Sequence, residues 1–256
     1  MSSPQPDVPE RQAIPPPLGK PWSPGATLAL AIPIAGVWVA AQIAVALAFL
    51  AVLGLRHPGV PTMDLAAGLE TDGLHFALAV LASAALTIPL VLLLAALRRG
   101  MSLSQYLRLD RFRLRDLVLW VLVFAAFVAV SEWIIRWAGQ DSAEIYIAEI
   151  YRSARFTPLL WLAVVLAAPI AEELFFRGFL FEGLRRSWLG TAGTVLFTSA
   201  TWSLIHLQYD LFFIALIFCL GLLLGWARAA SGSLWIPLIL HVLNNLYSLS
   251  LTALQG

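Results

Sequence analysis

Apolar residues run along most of this chain in long blocks, with no sustained alternation and no narrow helical stripe. A helix needs roughly 20 apolar residues to cross a bilayer. Blocks at 27–55, 74–97, 117–138, 159–184, 190–208, 211–229 and 233–254 therefore predict about seven transmembrane helices, with 190–208 the weakest. Only helices or closed barrels satisfy their backbone groups in lipid, so the pattern predicts an all-α, polytopic integral membrane protein. Residues 1–24 hold eight prolines and few apolar side chains, and are expected to form a disordered, proline-rich tail. They lack the basic start and apolar stretch of a signal peptide, and the first block is too long for one, so it reads as an uncleaved helix. The chain then divides into N-terminal membrane helices and surface segments at 25–158 and a C-terminal membrane core at 159–254. It shows no internal repeat of the kind many transporters carry.

Composition agrees: 60% of the residues are hydrophobic and only 12% charged, about half the charge of an ordinary soluble domain. The net charge of +1 comes with no basic stripe, so nucleic acid is not an expected partner; the bilayer is. A single cysteine, Cys219, allows no internal disulfide. With the N-terminus in the cytoplasm, the inner segments hold Arg11, Lys20, Arg98, Arg99, Arg108, Arg111, Arg113, Arg115, Arg185, Arg186 and Arg228. The outer ones hold only Arg56, Arg136, Arg152 and Arg155, which fits the positive-inside rule. The stretches 100–116 and 141–156 are expected to lie along the two surfaces. An alanine- and arginine-rich chain with one lysine suggests a bacterial source, and hence the plasma membrane.

Against this background the charges inside 159–184 stand out, in Pro169-Ile-Ala-Glu-Glu-Leu-Phe-Phe-Arg-Gly178. Glu173 and Arg177 are four apart with the acid first, the favoured order for a helical ion pair. Adjacent residues diverge by about 100°, so Glu172 is left without a partner in its own helix. Pro169 removes a backbone hydrogen bond just before it and can bend the helix. Ionisable side chains inside membranes are costly and usually functional. Two further blocks supply polar groups that could meet Glu172: His206, and His241 with Asn245 on one face of a helix. Gly221 and Gly225 form a small face suited to close helix packing. Glu132 and Arg136 read as a structural pair, and Asp210 as a cap or as an orienting group for His206.

The run with Glu172, Glu173 and Arg177 resembles the EExxxR motif of the CAAX protease and bacteriocin-processing (CPBP, or Abi) family of intramembrane proteases, which includes type II CAAX prenyl endopeptidases. Trp202-xxx-His206 is similar to the second motif, usually FxxxH, with Trp in place of Phe, and His241-xxx-Asn245 to the third. The segment from Gly221 to Pro237 also resembles family sequence, and the likeness covers about 159–250.

The resemblance implies an intramembrane endopeptidase whose active site lies between the C-terminal four helices. Its substrate would be a membrane-associated protein or peptide: a prenylated CAAX protein, a leader peptide or a membrane-protein tail. Glu172 would be the general base, His206 would help hold the water, and His241 and Asn245 would stabilise the oxyanion. Glu173 and Arg177 would support the helix. The preferred mechanism needs no cofactor. A zinc version is also open, with Glu172, His206 and His241 as a Glu/His₂ ligand set, although Glu173 would then have to act as base while paired to Arg177. A rival from another class is a non-catalytic immunity or scaffold protein that uses the polar cluster for binding. A proton-coupled transporter is a third, and would call for repeats.

Overall fold

The structure, a computed structural model, describes residues 19–255, apart from the side chains of Ser142 and Glu144. Among these residues every regular element is helical. The helices are α1 (Pro24–Arg56), α2 (Thr62–Ala67), α3 (Gly73–Ala96), α4 (Leu103–Leu107), α5 (Leu114–Ala138) and α6 (Ser142–Ser153). They continue with α7 (Thr157–Leu184), α8 (Gly190–Leu204), α9 (Leu211–Ser231) and α10 (Trp235–Gln255).

Six of them, α1, α3, α5, α7, α9 and α10, are long and apolar enough to cross a membrane. The outward residues of α1 and α5, such as Ile32, Ile43, Leu119 and Leu122, are apolar and exposed, as a lipid-facing surface requires. The protein is a polytopic all-α membrane protein. The count of seven spans is corrected at the fifth: α8 has 15 residues, about 22 Å of helix, too short for a core ~30 Å thick. Hydropathy had joined it to the turn at 205–208 that follows.

Most of the expected tail, residues 1–18, lies outside the described residues. Within the described part of that stretch, Gly19 N–H donates to the Gly100 carbonyl (3.0 Å) and the Trp22 indole to the Leu94 carbonyl (3.0 Å). Ser23 caps α1 by accepting from Ala26 N–H. The surface stretch 100–116 holds α4, whose Tyr106 and Leu107 are buried under α7. The outer stretch becomes α6, bound at Ser153, whose hydroxyl donates to the Thr71 carbonyl and accepts from Gly73 N–H.

Helix α7 is the axis of the molecule. Two π-helical stretches, Leu162–Ala167 and Leu174–Leu180, flank the α-helical piece Ala168–Glu173. A wider turn relieves the clash between a proline ring and the carbonyls behind it, and Pro169 sits just past the first π stretch. Helices α8 and α9 pair as a hairpin. A Cβ at Gly225 would lie 2.9 Å from the Val195 side chain, so these glycines set how closely the two backbones approach.

Candidate active site

The α-helical piece of α7 carries Glu172 and Glu173, and the two carboxylates take different partners. Glu173, fully buried, accepts from the Arg177 guanidinium (2.8 Å) and from His241 Nδ1 (3.0 Å). Arg177, also fully buried, donates to the Gly221 carbonyl on α9 (3.3 Å) and lies over the Trp202 ring, 4.7 Å from its centroid. Glu172 turns instead to Trp202, whose indole N–H donates to Oε2 (2.5 Å); that oxygen is 3.9 Å from His241 Nε2.

Both histidines have defined orientations. His206 lies past the end of α8, in the turn, where its Nδ1 bonds the Trp202 carbonyl (2.9 Å). A carbonyl only accepts, so Nδ1 carries a hydrogen, and in the neutral tautomer this leaves Nε2 with the lone pair. His241 likewise spends Nδ1 on the Glu173 carboxylate and presents Nε2 toward Glu172. With Nδ1–H given to that carboxylate, Nε2 is a donor only in the doubly protonated ring.

Asn245, one turn beyond His241 on α10, donates Nδ2–H to the Val164 carbonyl (2.9 Å). In the π register that carbonyl faces residue 169, a proline with no N–H to give. Asn245 therefore satisfies a backbone group that Pro169 orphans, and one hydrogen of the amide remains. The Asn245 Oδ1 accepts from Asn244 (3.2 Å).

A cavity of about 1020 Å³ is lined by Glu172, His206, His241 and Asn245 together with apolar side chains such as Trp38, Phe127, Phe175 and Leu220. Glu173 and Arg177 do not line it. Tyr209 stacks on His206 (6.4 Å between ring centroids) and meets Tyr146 of α6 edge-on (5.5 Å). Burial pushes the Tyr209 hydroxyl well above the usual tyrosine range, with Tyr146 adding to the shift, so it stays neutral. Asp210 caps α9 by accepting from Phe213 N–H (3.0 Å).

Among the described residues no three His, Cys, Asp or Glu side chains form a group able to hold a metal ion. As they stand, Glu172, His206 and His241 do not fit as a ligand set.

Three features of the site were absent from the sequence reading: the Trp202 N–H, the second partner of Glu173, and the backbone role of Asn245. The first had a visible signal, since the indole is a donor where phenylalanine has none. The second cluster on α7 was missed as well. Glu182 is buried and takes Arg185 through both oxygens (2.8 and 2.7 Å) and Arg228 of α9 (3.2 Å).

Residues 154–247 match the family model described as type II CAAX prenyl endopeptidase Rce1-like. The matched stretch takes in α7 to α9 and most of α10, and with them every candidate residue above. An Escherichia coli protein described as an uncharacterized 24.3 kDa protein is 31% identical over 131 residues, 48% of this chain and 58% of that protein. The chain thus matches little more than half the length of this relative. No solved structure matches.

Proposed function

We propose that the protein is an intramembrane endopeptidase that hydrolyses a peptide bond of a membrane-associated protein or peptide. The observation that carries the reading is the opening of Glu172, His206, His241 and Asn245 onto one largely apolar cavity between helices. The Rce1-like match supports the same class of reaction.

In the mechanism we favour, a water donates one hydrogen to the Glu172 carboxylate and the other to His206 Nε2. As Glu172 takes the proton, the water oxygen bonds to the scissile carbonyl carbon. The carbonyl oxygen becomes an oxyanion, held by the remaining Asn245 N–H and by protonated His241 Nε2. Collapse of this intermediate breaks the C–N bond, and Glu172 returns its proton to the leaving amine. Glu173 and Arg177 orient His241 and act at one remove from the reacting atoms. We place the protein in a bacterial plasma membrane with its N-terminus in the cytoplasm, because Arg98, Arg99, Arg185 and Arg186 all lie at the end where α1 begins.

A zinc reading has one observation in its favour: both histidines use Nδ1 for a fixed acceptor and keep Nε2 for a ligand. Against it, these side chains form no group able to hold a metal ion among the described residues.

The test is cleavage of a fluorogenic farnesylated Cys-a-a-X peptide, and trapping of native substrates in the membrane, by wild type and Glu172→Gln. The variant is expected to fold, retain bound substrate and not cleave. Cleavage by Glu172→Gln at the wild-type rate would remove Glu172 from the chemistry.

A further inference from the structure

We propose that Trp202 is a positioning residue for the hydrolytic reaction: its indole N–H pins Oε2 of Glu172 and leaves Oε1 as the oxygen that takes the proton. The proposal rests on Glu172 as the base. Indole Nε1 is a donor and never an acceptor, so the atom it meets must accept. Nε1 and Oε2 are 2.5 Å apart, a direct hydrogen bond with no room for a water between them. The bond uses one of the two lone pairs of Oε2 and makes that oxygen the less basic of the two, so proton transfer falls to its partner.

The ring itself is fixed from all sides. Trp202 is 2% exposed, with the Arg177 guanidinium over its face and His206 and His241 edge-on to it at 5.1 and 5.2 Å. Gly221 leaves the space it occupies, since a Cβ there would come 3.1 Å from the indole Cε3. The Trp202 carbonyl holds His206 Nδ1, so one residue sets the base and the histidine that shares its water. The N–H is chemically separable from this packing, because replacing it with another ring atom leaves the aromatic contacts in place.

The experiment compares wild type with Trp202→Phe and with Trp202→3-benzothienylalanine, in which sulfur replaces the N–H in a ring of nearly the same shape. With the farnesylated peptide both variants are expected to lose roughly 10- to 100-fold in kcat, the scale for removing a hydrogen bond to a charged group, with KM within about twofold. The benzothienyl variant should fold as wild type does, with its thermal midpoint lowered only by the one hydrogen bond removed. Full kcat in that variant overturns the proposal. Glu172→Gln measured beside it separates the two ideas: if that variant is inert while the benzothienyl protein runs at full rate, only the role of Trp202 is wrong. An independent readout needs no turnover. The ultraviolet resonance Raman band that reports indole N–H bonding, isolated as wild type minus Trp202→Phe, should show a bonded indole that becomes free in Glu172→Leu. A band unchanged by Glu172→Leu also overturns the proposal.

Discussion

Helix α7 buries two clusters of acid and arginine, built on opposite terms. In the first, two carboxylates stand beside one arginine, which pairs with Glu173 and not with Glu172, and among the described residues Glu173 Oε2 and Arg177 Nε have no hydrogen-bond partner. Two of its members, Glu172 and His241, line the cavity. In the second, a single carboxylate, Glu182, meets Arg185, Arg186 and Arg228, both its oxygens are paired, and it lines no part of that cavity. The second cluster neutralises its acid and ties α7 to α9. The first leaves one carboxylate over, facing space where a reactant can sit. They are joined, because Arg228 Nε also donates to the Arg177 carbonyl (3.0 Å), so the closed cluster braces the open one.

Substitutions should split along this line. The largest expected effect is on turnover in the open cluster. Glu172→Gln should lower kcat by about 10³-fold, within the range for loss of a general base, while its thermal midpoint stays near wild type. A large loss of stability instead would make Glu172 a structural residue like Glu182.

Next in size are the arginine partners. Arg177→Ala and Glu182→Ala each leave a buried charge unpaired, which typically costs about 3–5 kcal/mol. Arg177→Ala should lose stability and turnover together, since it also frees His241 from its fixed carboxylate. Glu182→Ala should lose stability while the folded fraction keeps kcat within a few-fold. Unfolding in detergent, read beside single-turnover rates, makes the comparison. Equal losses of turnover in the two variants would erase the distinction between the clusters.

Asn245→Ala should lower kcat by roughly 10²–10³-fold, the scale for one oxyanion donor. It should also cost about 1 kcal/mol of stability by leaving the Val164 carbonyl unpaired. A stability loss with unchanged kcat would confine Asn245 to its backbone role. The smallest expected change is Arg136→Ala, which removes an exposed ion pair with Glu132 at 3.5 Å and should shift stability by less than ~1 kcal/mol.

A last measurement leaves the side chains alone: strong chelators should leave activity mostly intact, with substoichiometric metal by elemental analysis. One tightly held zinc per chain, lost in His206→Ala or His241→Ala and needed to restore activity, would replace the water-base mechanism by a metal one at the same site.

Much of this molecule was legible one residue at a time. Unbroken apolar blocks admit only helices in lipid, so the all-α membrane fold followed from composition and order alone. The four-residue spacing of Glu173 and Arg177 sets their ion pair by helical geometry, whatever surrounds it. The offset of one residue likewise sends Glu172 elsewhere.

What lay beyond the sequence depends on partners distant in the chain. The 15-residue length of α8 is invisible to hydropathy, which counts an apolar turn as readily as a helical one. That Glu173 holds His241, 68 residues on, and that Trp202 holds Glu172, 30 residues back, required three helices to pack at particular rotations. Arg228 read as an arginine at a membrane surface, yet it lies buried against Glu182, 46 residues before it. Pro169 showed only that a backbone bond was missing. Which carbonyl lost its partner depended on the π register of α7, and which side chain replaced it depended on where α10 crosses. Local rules act along a helix and can be read there; the pairing of polar groups between helices is a choice among packings, and in a membrane interior that choice is what each buried charge imposes on the fold.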